Sequence, residues 1–237
     1  MKIARIATLS VLFASPALAQ LAPPPGPVTD TDRVREQADA RTPIATGFFT
    51  IDEPGSYYLT QNISSIVVAA VVIDAPDVTL DLNGFSIDGG IGGINVNADR
   101  VTIRNGKIRN TQGEGIDGRS ADHLVIEDIT IENCGRGTIL VPENDSAINI
   151  RSGRVERTRI IDCPSGIGFF SDDTMVKDCV LEDIDGSGIN SRGAANFGVF
   201  VEGCTMRNIG FRGIDASDHT RVRNTTIEST GDAGIDI

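Results

Sequence analysis

Aspartate, asparagine and arginine recur in this chain about every 22 residues, a spacing that a short structural repeat would stack into columns. One column reads Asp74, Asn95, Asp117, Asn149, Gly168, Asn190, Asp215 and Asp236. Two residues further along come Asn97, Arg119, Arg151, Phe170, Arg192 and Ser217. Stacked guanidinium groups such as Arg119, Arg151 and Arg192 can each hold a carboxylate through two parallel hydrogen bonds, which suits an acidic glycan. Asp117 and Asp215 can bind calcium through oxygen. Asp215 followed by Asp236 breaks the alternation of Asp with Asn, so this pair is the expected cation point. With Asn149 and Asn190, these residues form the candidate binding face. The same column also has a purely structural use. Stacked asparagines form amide ladders that only hold the chain together, and alternating Asp with Asn keeps bare carboxylates from facing each other.

A repeat must create the column. Eight isoleucines, Ile73, Ile94, Ile116, Ile148, Ile167, Ile189, Ile214 and Ile235, are separated by 21, 22, 32, 19, 22, 25 and 21 residues, and most follow a glycine. A unit this short cannot bury a core alone, so each must stack on the next. Gly115 to Cys134 contains three runs of period-two alternation, Ile116 to Gly118, Leu124 to Ile126 and Ile129 to Ile131. Three strands per unit describe one coil of a parallel β-helix. A second inward column is expected at Leu82, Ile103, Ile126, Val155, Val176, Val201 and Val222. A third is expected at Ile87, Ile108, Ile131, Ile160, Leu181, Met206 and Ile227. Two residues past the second column stand Gly84, Asn105, Asp128, Arg157, Asp178, Gly203 and Asn224, and the Asx and Gly there suit a tight bend.

Composition bounds the function. Lys2 and Arg5, the apolar run Ile6 to Ala14, and Ala17-Leu18-Ala19 read as a secretory signal cleaved before Gln20, which makes the mature protein secreted or periplasmic. Residues 20–46 read as a Pro-rich linker and N-terminal cap, with a short helix over Asp30 to Ala40, and 47–237 as the β-helix. No segment reads as a transmembrane helix. The net charge is −12 and becomes −14 once Lys2 and Arg5 leave, which argues against a nucleic-acid partner. Trp is absent and there are two Tyr, so stacking on a neutral glycan is disfavoured.

The grammar of Gly-Ile-Asn and VTIRNGKI, with the opening TIDEPGSYYLTQNIS and VVIDAPDVTLDLNGFSI, resembles the right-handed parallel β-helix proteins of the pectin-lyase-like superfamily over roughly Phe48 to Ile237. The resemblance implies an all-β fold: a right-handed, single-stranded parallel β-helix (solenoid) of about seven to eight coils with a short helical or strand cap. It implies ligands on the outer face of the Gly-Ile strand. In the polyuronate lyases of this group a cation neutralises the uronate carboxylate and an Arg or Lys removes the adjacent proton; Arg151 beside Arg119 is the matching pair here, with calcium as the implied cofactor. Signatures of the related hydrolases are missing. Asp172-Asp173 occurs but no Gly-His-Gly, and the Asp-Pro-His of alginate epimerases is absent. His123 and His219 each follow an Asp in a turn at the edge of the suspected face.

Cys134 and Cys163 fall at equivalent places on adjacent coils, as do Cys179 and Cys204, so disulfides and stacked reduced thiols are both open. The insertion Gly135 to Ser146 carries Arg136, Glu143 and Asp145 toward the same edge. The chain stops at Gly234-Ile235-Asp236-Ile237 as a coil begins, which is read as further C-terminal coils or end-to-end self-association. Two function classes follow: an exported carbohydrate-active protein, lyase-like at best, that binds or cleaves acidic polysaccharide; or a non-catalytic interaction solenoid.

Overall fold

The computed structural model describes residues 40–64, 68–137, 146–191, 198–216 and 219–236. The expected signal, linker and helix, and the positions Arg192, Ser217, Glu143 and Asp145, lie outside the described residues. Every regular element described is a β-strand. The strands form a parallel solenoid of about seven turns. They fall into two sheets, one of nine strands built from the Gly-Ile segments and one of fifteen built from the second and third segments of each coil. Strand pairing starts at Thr42–Ile44, which lies parallel to Gly55–Leu59. No helix among the described residues is long and apolar enough to cross a membrane.

The three apolar columns produce this architecture. Ile94, Ile116, Ile148, Ile167, Ile189, Ile214 and Ile235 are direct strand partners in sequence. The second column, from Ile103 through Ile126, Val155, Val176 and Val201 to Val222, is paired likewise. Most of these side chains are fully buried and form one core. The first coil departs from the spacing. Ile94 stacks on Val71, not Ile73, whose partner is Val96. Ile103 stacks on Leu80, not Leu82. Val71 and Ile73 both face inward, two residues apart on one strand, so apolar pattern cannot choose between them; the backbone ladder does. Asp74 therefore leaves the Asp/Asn column and lies by Asn97, whose amide donates to it at 2.7 Å.

The glycines before Ile94, Ile116, Ile167, Ile189 and Ile214 are required by proximity, not by an unusual backbone angle. A Cβ on Gly166 would lie 2.6 Å from Leu181 Cδ2, and one on Gly188 would lie 2.7 Å from the Gly213 carbonyl oxygen. The expected bend is present: Asn105, Asp128, Arg157, Asp178, Gly203 and Asn224 all have positive φ. A second corner of the same kind ends the third strand at Asn110, Asn133, Asp162, Asp183, Asn208 and Ser229. Asx residues adopt this left-handed conformation most readily after Gly. The amide ladder is found at this second corner, where Asn133 donates to Asn110 at 2.9 Å and Asn208 to Asp183 at 3.0 Å.

All four cysteines are free and buried. Each follows a left-handed corner residue and donates its thiol to the carbonyl two positions back, as Cys179 does to Lys177 at 3.2 Å and Cys163 to Ile161 at 3.3 Å. Thr158 and Thr225 make the same bond with their hydroxyls. Cysteine therefore serves here as a small buried donor that closes the corner. Burial pushes the Cys163 thiol up to about 12. Cys179 is raised as well, by its hydrogen bond with Cys204 and by burial. At pH 8 the thiolate fraction of Cys163 is then about a thousandfold below that of an exposed thiol. Thiol titration of native protein is expected to label none of the four promptly and all four after denaturation. Prompt labelling of the folded form, or fewer than four thiols once unfolded, would contradict this arrangement.

Candidate functional site

The expected binding face is occupied by its own charges. Arg119 holds Asp117 through two bonds, at 2.9 and 2.7 Å, and reaches Glu114 at 3.2 Å. Asn149 and Asn190 are buried. Asn149 donates to Glu114 at 3.1 Å and Asn190 to the Ser165 hydroxyl at 3.2 Å, so neither amide ladders to the other. Arg212 stands between the two carboxylates of the expected cation point, 3.1 Å from Asp215 and 2.8 Å from Asp236, and also meets Asp232 at 3.3 Å. Desolvation lowers the affinity of Arg212 for its proton, but the charges of Asp215 and Asp236 outweigh it and raise the guanidinium above its ordinary value. A permanent internal cation thus fills the role proposed for calcium. No group of three or more His, Cys, Asp or Glu able to hold a metal occurs among the described residues.

Arg151 differs from Arg119. Its side chain is 52% exposed and only touches Asp122, at 3.4 Å. It belongs to the corner that joins the Gly-Ile strand to the second strand, a corner built by local hydrogen bonds. The Ser152 hydroxyl donates to Asp122 at 2.9 Å and itself accepts the backbone N–H of His123 at 3.1 Å. One coil on, Gly153 donates its N–H to the Asp173 carbonyl at 2.8 Å. The Asp172 carboxylate accepts the N–H of Gly198 at 2.6 Å. The solenoid thereby brings Arg151, His123, Asp172 and Asp173, scattered over 51 positions of sequence, to one edge.

At that edge lies an open groove of about 510 Å³. Its floor is an outward column of the second strand, where Val125, Arg154, Met175 and Phe200 are successive register partners. Val125, Met175 and Phe200 are only partly buried, so the floor is apolar. His123, Asp172 and Asp173 form its wall. The Arg154 side chain is 52% exposed and its acidic neighbour Glu156 is 3.6 Å away. A second groove of about 300 Å³, between His219 and Arg221, adjoins the first through the shared residues Asp172 and Phe200. A larger groove of about 570 Å³ follows the corner that ends the third strand, past Asp162, Asp183 and Asp185. Its polar groups are committed to the amide ladder and to Arg136, which bridges Asp162 and Asp185.

Phe200, Met175 and Arg154 escaped the sequence reading. The signal was present: the outward position just before the second inward column runs Thr102, Val125, Arg154, Met175, Phe200, Arg221. An apolar cluster at an outward position marks either a covered or a binding surface.

Two comparisons bear on this geometry. The family model described as the right-handed β-helix region matches residues 69–230. Among curated proteins none matches the chain in sequence.

Proposed function

Since the chain belongs to the right-handed β-helix family, we propose that it is an exported protein that grips acidic polysaccharide along the groove from His123 to Phe200 without cleaving it. One observation carries this reading: an apolar floor with an aromatic ring stands beside two carboxylates and a half-exposed arginine. A sugar ring lies flat on Phe200 and Met175. Asp172 and Asp173 accept its hydroxyls, and Arg154, with Arg151 at the rim, takes its carboxylate. The net charge, −14 once Lys2 and Arg5 leave with the signal, opposes the approach of a polyanion, so association is slow at low salt and contacts repeated along a chain supply much of the affinity.

Neither Arg119 nor Arg151 is set up to act as the base for cleavage. A guanidinium accepts a proton only when burial or neighbouring cations weaken its own. Arg119 is held by two carboxylates, and Arg151 is half exposed beside a third. Polygalacturonate and alginate titrated into mature protein by calorimetry are expected to bind, with a neutral glucan as the negative control. Phe200→Ala and Arg154→Ala are each expected to weaken binding about tenfold. Equal affinity in both variants would remove the groove from the reading. A rise in ultraviolet absorbance from unsaturated product would overturn the non-cleaving part. Export is tested by fractionation, with a mature N-terminus at Gln20 as the expected result.

A further inference from the structure

We infer that the groove selects among acidic glycans by charge pattern: it takes a chain whose carboxylated sugars are separated by uncharged ones in preference to a chain that is acidic at every ring. The inference rests on the glycan-binding reading of the same groove and deepens it. Two cations mark the ends. The outward row of the second strand runs Arg154, Met175, Phe200, Arg221, each the register partner of the next. Arg154 and Arg221 are both exposed. Three coil steps separate them, about 14 Å along the solenoid. The larger and smaller grooves share Phe200 and Asp172, so Arg154 and Arg221 lie in one continuous trough.

The middle has the opposite character. Its floor, Met175 and Phe200, carries no charge. Its wall is Asp172 and Asp173, both exposed. These two precede Thr174, which opens the strand of Met175, and the Asp172 carboxylate accepts the N–H of Gly198 in the coil of Phe200. The two carboxylates therefore stand level with the apolar floor, between the arginines. A uronate seated there brings its own carboxylate against theirs, and like charges at close range repel. An uncharged sugar lays its ring on the floor and donates hydroxyls to the wall. Only at the ends does an anion meet a guanidinium.

The neighbouring charges of the described residues leave this pattern intact. Two positions further along the same strands, a second outward row reads Glu156, Lys177, Glu202, Arg223, again direct partners. Its signs alternate, so each charge faces an opposite one a coil away. Glu156, 3.6 Å from Arg154, is held more closely by Arg157 at 3.1 Å. Arg223 lies over the Phe200 ring at 5.7 Å; it belongs to the strand of Arg221 and adds to that end. At the rim Arg151 is paired with Asp122. His123 adjoins Leu124, whose partner Gly153 precedes Arg154, and His219 lies beside Arg221, so both imidazoles flank the cationic ends.

The experiment is calorimetric titration of mature protein at pH 8.0 and constant ionic strength with two chains of matched length, polygalacturonate and a polymer that alternates glucuronate with N-acetylglucosamine. Affinities are compared per sugar ring. The wild type is expected to bind the alternating chain about fivefold tighter. In the double variant Asp172→Asn, Asp173→Asn, which keeps the size of both side chains and removes their charge, the ratio should fall to within about twofold of unity, chiefly because polygalacturonate binds better. Arg221→Ala should weaken the alternating chain about tenfold. Equal wild-type affinities, a preference for polygalacturonate, an undiminished ratio in the double variant, or an unaffected Arg221→Ala would each overturn the charge pattern while leaving the glycan site standing. Absence of binding by both chains overturns the site reading itself. Should circular dichroism show the double variant unfolded, Arg221→Ala, a change at an exposed position, decides instead.

Discussion

Phe169→Ala is expected to lose about 3–5 kcal/mol of stability and roughly 10 °C in Tm. Phe169 is fully buried and is the largest such side chain among the described residues. It points inward from the nine-stranded sheet, in register with Ile150 on one side and Ser191 on the other. Ser191 is too small to fill the space a deleted ring would leave, and stacked coils cannot close together along an axis set by backbone hydrogen bonds. The cavity therefore persists. Phe170 is the internal control: it is adjacent in sequence, faces outward and is only partly buried, so Phe170→Ala should cost about 1 kcal/mol or less. Urea denaturation of the two variants side by side is the measurement. Similar losses in both would mean that Phe169 is not at the centre of a packed interior.

Gly153→Ala is expected to be the most damaging glycine substitution, at about 3 kcal/mol or more. Gly153 has φ +132°, a region where a side chain is strained. A Cβ there would also collide with the Leu124 carbonyl oxygen and come within 2.7 Å of the Leu124 nitrogen, both main-chain atoms of the paired strand. No rotamer change relieves a clash with backbone. Gly84→Ala separates the two causes. Gly84 also has positive φ, +78°, but nothing lies within 4 Å of its Cβ position, so only the conformational cost of about 1 kcal/mol should appear. Gly153 precedes Arg154 and donates to Asp173, so the same variant should weaken glycan binding more than its stability loss at 25 °C explains. A Gly153→Ala protein as stable as Gly84→Ala would show that the corner is free to shift.

The corners show where local rules bend. Arg157 occupies a left-handed position that its equivalents fill with Asx or Gly. Its guanidinium compensates through Asp128, Glu127 and Glu156, and the Asp128 carboxyl is held below its usual range chiefly by the hydrogen bond from Arg157. The sequence reading placed this position at a bend from its neighbours, although nothing in arginine itself predicts one. It missed the equivalent corner at Asn110, Asn133 and Asp162, because those residues are spaced like the columns already assigned to strands.

Periodicity alone determined that residues about 22 apart become neighbours, that Ile94, Ile116 and Ile148 share one interior row, and that the chain is a parallel solenoid. Those are consequences of apolar side chains at a fixed repeat, which can bury them only by stacking one unit on the next. Tertiary structure decided what the repeat leaves degenerate. A strand with two inward valine or isoleucine positions accepts either register, and only the ladder chose Val71 over Ile73. A column of Asp, Asn and Arg is open or spent according to which partner lies one coil away: Arg212 closed the expected cation point and Asp117 held Arg119, whereas Arg154 and Phe200 of the groove stay partly exposed. Charge pairing between coils depends on distances of 3 to 4 Å across a seam, and no one-dimensional spacing contains that information.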